Sequence, residues 1–188
     1  MQKIRLAIPL QTDSIVDGPG IRAVVWTQGC GHHCKGCHNQ GTWDFQGGAL
    51  YDIDTVKQDI KALENHDGIT LSGGDPLFQA QACYELAKYA KELGLNVWCY
   101  TGFTFEQLLS MKEKEPYILK LLEQVDVLVD GRFELAQKSL NLKFKGSRNQ
   151  RIIDVPTSLE LGQAVVIHKY DQEKVWKQRY QKPEFLYI

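Results

Sequence analysis

Cys30-Gly31-His32-His33-Cys34-Lys35-Gly36-Cys37-His38-Asn39 places three of the chain's five cysteines within eight residues. Thiolates are soft ligands, and closely spaced ones can converge on a metal that a single cysteine cannot hold. A tetrahedral zinc site ordinarily draws a second pair of Cys or His from further along the chain. Neither a second CxxC nor an HxxxH follows this loop. Three thiolates on one short loop suit instead a four-iron, four-sulfur cube with one iron left free of protein ligands. The alternative is a structural zinc site that joins the three cysteines with His32, His33 or His38.

Immediately upstream, Ala23-Val24-Val25-Trp26-Thr27-Gln28 is an apolar, β-branched run typical of a strand buried on both faces. The cysteine loop therefore opens at that strand's C-terminal end, where parallel α/β folds hold their ligands. Before it, Ile4–Leu10 reads as a short strand, and Asp17-Gly18-Pro19-Gly20-Ile21-Arg22 as a turn.

Downstream, Thr55-Val56-Lys57-Gln58 fits a capping box for a helix through Val56, Ile60 and Leu63, stopping at Gly68. Ile69–Ser72 is a second strand, closed by Gly73-Gly74-Asp75-Pro76. A long helix carries Ala82, Leu86, Ala90 and Leu93 on one face and ends at Gly94. Asn96–Tyr100 is a third strand, turned by Thr101-Gly102. Thr104-Phe105-Glu106-Gln107 is another capping box, opening a helical region that Pro116 interrupts and that resumes through Ile118, Leu121 and Leu122. Val125–Val129 is a fourth strand, ending at Asp130-Gly131-Arg132. Weaker strand patterns occupy Arg151–Val155 and Ala164–Ile167, and the tail from Asp171 shows no clear period. Strands alternating with helices predict an α/β fold with a mostly parallel sheet. Four or five such units are too few for an eight-fold barrel, so an open partial (β/α) barrel is expected, with its active site at the strand C-termini.

The chain of 188 residues suits a single domain, 1–188, with a core over about 1–155 and a C-terminal extension at 156–188. A net charge of −1 gives no electrostatic reason to expect nucleic acid or a membrane surface as partner. The apolar run Ile4–Leu10 is broken by Arg5 and too short for a signal peptide or a spanning helix. A cytoplasmic location follows, where thiols stay reduced. An odd number of clustered cysteines fits metal binding better than disulfides. Cys83 and Cys99 lie in helix and strand patterns and read as small core residues.

Three further motifs have plain readings as well as functional ones. The paired glycines of Gly73-Gly74-Asp75 let a ligand approach the backbone, though such a tripeptide can be simply a turn. Asp130 either lines a site at its strand end or merely starts a loop. Lys145-Gly146-Ser147-Arg148-Asn149-Gln150-Arg151 reads by default as a solvated loop.

The CxxxCxxC spacing resembles that of the radical S-adenosylmethionine (SAM) enzymes. The resemblance implies that Cys30, Cys34 and Cys37 hold a [4Fe-4S] cluster whose fourth iron binds SAM, and that electron transfer yields a 5′-deoxyadenosyl radical. It implies the same partial barrel. Gly73-Gly74-Asp75 is similar to the superfamily's GGE-type motif, which makes Gly74 and Asp75 SAM contacts. Gly36 and His38, flanking Cys37, would then touch the adenine. Asp17–Arg22, Leu71–Pro76, Val127–Phe133 and the Gly-Ser-x-Asn-Gln element at Gly146–Gln150 resemble, in order across residues 14–155, the activating enzymes of anaerobic (class III) ribonucleotide reductase. That family implies a glycyl radical installed on the reductase large subunit, and an electron donor such as flavodoxin. The alternatives are activation of another glycyl-radical enzyme such as pyruvate formate-lyase, a small-molecule radical SAM reaction, or a zinc-stabilised interaction module without catalysis. The short chain without a ferredoxin-like insert favours the reductase activator.

Overall fold

Four parallel strands, β3 (Arg22–Thr27), β5 (Gly68–Gly73), β6 (Asn96–Tyr100) and β7 (Val127–Asp130), form the centre of an eight-stranded sheet in the computed structural model, which describes residues 2–171. The order is β4-β1-β3-β5-β6-β7-β8, with β2 also paired to β3. The margins run antiparallel: β1 (Lys3–Leu6), β2 (Gln11–Ser14) and β4 (Ala49–Asp52) on one side, β8 (Arg151–Asp154) on the other. Helices α1 (Ile53–Lys61), α2 (Ala80–Glu92), α3 (Phe105–Met111) and α4 (Pro116–Leu122) lie between strands along the chain, and α5 (Val155–Leu161) follows β8. The open sheet with a parallel centre is the one expected from the strand and helix alternation.

Several boundaries differ from the sequence patterns. The first strand stops at Leu6. Helix α1 starts at Ile53 behind Asp52, so Thr55 sits inside the helix and forms no capping box. The capping box at Thr104 is present, with both reciprocal bonds formed by Gln107. Residues 164–167 contribute one bridge, Ile153 to Val166, rather than a strand.

Strand alternation sends Ala23, Val25, Ile69, Leu71, Val97, Cys99 and Leu128 to one face. There they pack on Val56 and Ile60 of α1, Cys83, Leu86 and Ala90 of α2, Leu108 of α3, and Ile118 and Leu121 of α4. Each such aliphatic side chain contributes roughly 1.5–3 kcal/mol by leaving water. The opposite face is built in rows by the parallel register: Val24 beside Thr70, Trp98 and Val127, then Trp26 beside Ser72. Arg22 lies buried on this face, bonded to Thr70 Oγ1 at 2.7 Å and to the Asn96 carbonyl at 3.1 Å, with Trp98 5.6 Å away. Trp98, Phe144 and Tyr170 meet edge to face at 5.5–5.7 Å. Tyr170 is thus packed into the fold, although the sequence pattern fades after 155. The tail beyond Asp171 lies outside the described residues. Among the described residues no helix is long and apolar enough to cross a membrane.

Candidate active site

The cysteine loop leaves β3 and is held at once between two segments. The Gly74 amide donates to the Thr27 carbonyl at 2.7 Å and the Asp75 amide to the Gly29 carbonyl at 3.0 Å. From the other side, Gly29 donates to Thr42 at 2.8 Å and Cys30 to Trp43 at 3.1 Å. A tight turn at Gly36 (φ +77°) and a bond from the Cys37 amide to the Cys34 carbonyl at 3.0 Å bring those two cysteines together. Cys30 is buried, and Cys34 and Cys37 are partly exposed; none forms a disulfide.

The three thiols lie within electrostatic reach of one another. Burial pushes the Cys30 and Cys34 thiols up, and their cysteine neighbours push in the same direction. Backbone groups act the other way: His32 on Cys30, and Phe133 on Cys34. The Asn39 amide donates to Cys37 Sγ at 3.3 Å. Three adjacent thiolates repel one another unless a cationic centre joins them, so this donor set fits a thiolate-bound metal cluster. Among the described residues, no three His, Cys, Asp or Glu side chains are assembled around a single ion-sized point. The nearby histidines are engaged elsewhere: His32 bonds Asp75 at 2.8 Å, His33 sets its ring edge-on to Trp43 at 5.0 Å, and His38 lies 5.6 Å from the Phe133 ring.

Beside the loop, a cavity of about 360 Å³ opens at the C-terminal ends of β3, β5 and β6. That size falls within the range of small-ligand pockets. The cavity lining includes Cys37 and His38 of the loop, Gly73 and Gly74 at the end of β5, Tyr100 at the end of β6, and Phe133 and Gln150. Gly74 lines the cavity. It also has no room for a β-carbon, which would collide with the Gly29 carbonyl and come within 2.9 Å of the Thr42 carbonyl.

Two expected contacts are placed differently. Gly36 is not part of the cavity lining, and a β-carbon there would meet Leu135 at 2.9 Å. The Asp75 carboxylate is buried off the cavity, and four donors of this chain engage it: His32, Thr101, Gly102 and Leu77. Asp75 is therefore a structural hub of the strand ends. Asp130 is likewise buried, bonded to the Phe105 amide at 2.8 Å and to Arg151 Nε at 3.0 Å. These bonds give it a structural role at the strand end.

The Gly146–Gln150 element is stitched into the site wall instead of being a loose loop. Gln150 Oε1 accepts from the Gly146 amide at 2.9 Å, while its Nε2 donates to the Gly131 carbonyl at 3.0 Å. Asn149 Nδ2 donates to the Arg132 carbonyl at 2.8 Å, and the Glu134 amide to Ser147 Oγ at 3.1 Å. These bonds fix the 131–134 segment and hold Phe133 against His38. Tyr100, Phe133 and Gln150 were not among the sequence-derived site residues. Tyr100 could have been found from its place at a strand end, and the other two from the motifs that contain them.

A family described as 4Fe-4S single cluster domain matches residues 16–153. The anaerobic ribonucleoside-triphosphate reductase-activating protein of Enterobacteria phage T4 is 36% identical over 145 residues, covering 73% of this chain and 86% of the phage protein. The protein of the same name from Vibrio cholerae is 36% identical over 146 residues, 73% of this chain and 90% of its own length. The one from Escherichia coli K12 is 32% identical over 145 residues, 72% and 90%. The matched span holds the loop cysteines, the Gly73-Gly74-Asp75 strand end and the Gly146–Gln150 wall, and the chain belongs to the 4Fe-4S single cluster domain family and, by identity and coverage, to that of the reductase-activating proteins.

Proposed function

We propose that this protein is the activating enzyme of an anaerobic ribonucleoside-triphosphate reductase, a single radical SAM domain that installs a glycyl radical on the reductase large subunit. The observation that carries this reading is the convergence of Cys37 and His38 with Gly73 and Gly74 on one cavity at the parallel strand ends. The names of the relatives direct it toward the reductase rather than another glycyl-radical enzyme.

In this reading Cys30, Cys34 and Cys37 hold a [4Fe-4S] cluster. When bound, the cluster and SAM supply a 5′-deoxyadenosyl radical that can take a hydrogen atom. The chain's task is placement and exclusion of water. Gly74 lets a ligand lie close to the strand end. His38 and Phe133 offer a pair of rings to an adenine. Gly36 shapes the loop from behind. The hydrogen donor is a glycine in a flexible segment of the reductase, whose Cα hydrogen is unshielded and whose backbone can enter a cleft. A flavodoxin-like protein serves as electron donor, in a reducing cytoplasm that keeps the three thiols available.

The test mixes reconstituted protein, reductant, SAM and the reductase without oxygen. The expected result is 5′-deoxyadenosine formed in proportion to activated reductase, together with a glycyl-type doublet that collapses when the glycine carries deuterium at Cα. SAM cleavage stimulated by a small molecule, with no protein radical, would sink the activase assignment. A colourless, zinc-loaded protein would favour the interaction module instead, since iron–sulfur charge transfer absorbs in the visible.

A further inference from the structure

We infer that His32 and Asp75 form a positioning pair that locks the Cys30 limb of the loop onto the strand ends and so helps set the reduction potential of the cluster held there. The inference rests on the cluster reading above. Three of the four donors to the Asp75 carboxylate belong to the rigid frame: the Leu77 amide at 2.9 Å, Thr101 Oγ1 at 2.8 Å and the Gly102 amide at 2.9 Å. The fourth is His32 Nε2 at 2.8 Å, reaching in from the cysteine loop across 43 positions of sequence. Asp75 is 1% exposed and the His32 side chain 5%. A buried carboxylate is costly unless its acceptor sites are filled, so the bond from His32 completes the hub and is of the stronger, charge-assisted kind.

The surroundings are shaped to this imidazole. Phe103 sets its ring edge-on at 4.5 Å, and Phe78 lies at 5.7 Å. Gly102 has no room for a β-carbon because the His32 ring occupies the space, and a β-carbon on Gly31 would lie 3.1 Å from Phe78. His32 is two residues beyond Cys30, so holding its side chain holds the loop backbone beside that ligand. A nearby buried carboxylate opposes reduction of a cluster, whereas a donor bonded to that carboxylate offsets its charge and raises the potential. The two members of the pair thus pull the potential in opposite directions.

The experiment compares the wild type with His32→Ala, His32→Gln and Asp75→Asn. Iron content and midpoint potential are measured on the reconstituted proteins, and alkylation rates of individual thiols on the cluster-free proteins. At equal iron content His32→Ala shifts the midpoint downward, His32→Gln restores most of it by supplying a donor of similar reach, and Asp75→Asn shifts it upward. In the cluster-free proteins His32→Ala raises the Cys30 alkylation rate roughly tenfold, the effect of losing one charge-assisted bond, while Cys83 stays protected. A fully loaded His32→Ala protein with the wild-type midpoint overturns the inference. So does an unchanged Cys30 rate, which decides the matter if that variant takes up no iron. A wild type that itself builds no iron–sulfur cluster defeats the cluster reading, and the alkylation comparison still judges the pair.

Discussion

The carbonyl oxygen of Gly29 fills the space that a β-carbon on Gly74 would need. The end of β5 is therefore a collar around the root of the cysteine loop as well as a wall of the cavity. Gly74→Ala is expected to force the two segments apart, costing about 1–3 kcal/mol as overpacking does, and to lower iron content per chain along with the response to SAM. Denaturant midpoints and iron analysis check this. Normal iron content with a lost SAM response would show that the cavity contact alone requires glycine there.

The cysteines divide by face. Cys30, Cys34 and Cys37 gather on the loop, whereas Cys83 and Cys99 are buried in the helix-side core, where burial pushes both thiols up. Alanine at any loop cysteine should abolish a stable cluster. Alanine at Cys83 or Cys99 should retain iron at a packing cost of about 1–2 kcal/mol. Iron content and the anaerobic visible spectrum of the five variants check the division.

Arg151 joins the buried Asp130 to the exposed Glu106, taking Glu106 Oε1 at 3.0 Å. Its hydrogen bonds lower the Glu106 carboxyl from about 4.5 to about 2. Because the folded value is depressed, the stabilisation is complete above pH 4.5 and is lost as pH falls toward 2. Glu106 is more than half exposed, so screening holds the effect to less than about 1 kcal/mol. Glu106→Gln should flatten the fall in stability over that acid range. Arg151→Met should cost more, roughly 2–3 kcal/mol at neutral pH, because it leaves Asp130 buried beside a single amide. Urea titrations between pH 2 and 7 test both.

Arg22 is a buried cation without a carboxylate in contact among the described residues; its guanidinium bonds the Pro19, Ile69 and Asn96 carbonyls and Thr70 Oγ1. Burial lowers its pKa to about 10, yet it remains charged at neutral pH. Lysine cannot reproduce that fork, so Arg22→Lys should destabilise by about 2–3 kcal/mol while leaving the cysteine loop able to take up iron. Thermal unfolding and iron content measure the two effects separately.

The parallel centre and the position of the cysteine loop were readable because β3, β5 and β6 are continuous apolar runs ending in marked turns. The margins were not. Gln11–Ser14 is mostly exposed and polar, and Ala49–Asp52 is short, so neither carries a period to detect. Helix α1 misled because its start is set by the burial of Ile53, which outweighs the capping pattern at Thr55. At the site, the cysteines were legible from local spacing. The pairing of His32 with Asp75 was not, since its members lie on different segments and the bond exists only after both strand ends are in place.

Trp98, Phe144 and Tyr170 close over the sheet face next to the cavity, and Phe144 belongs to both the cavity lining and this aromatic stack. The cavity wall is on that account braced from a distance: Tyr170 packs on Phe144 without lining the cavity, so a change at the far end of the described chain reaches the site through one shared ring.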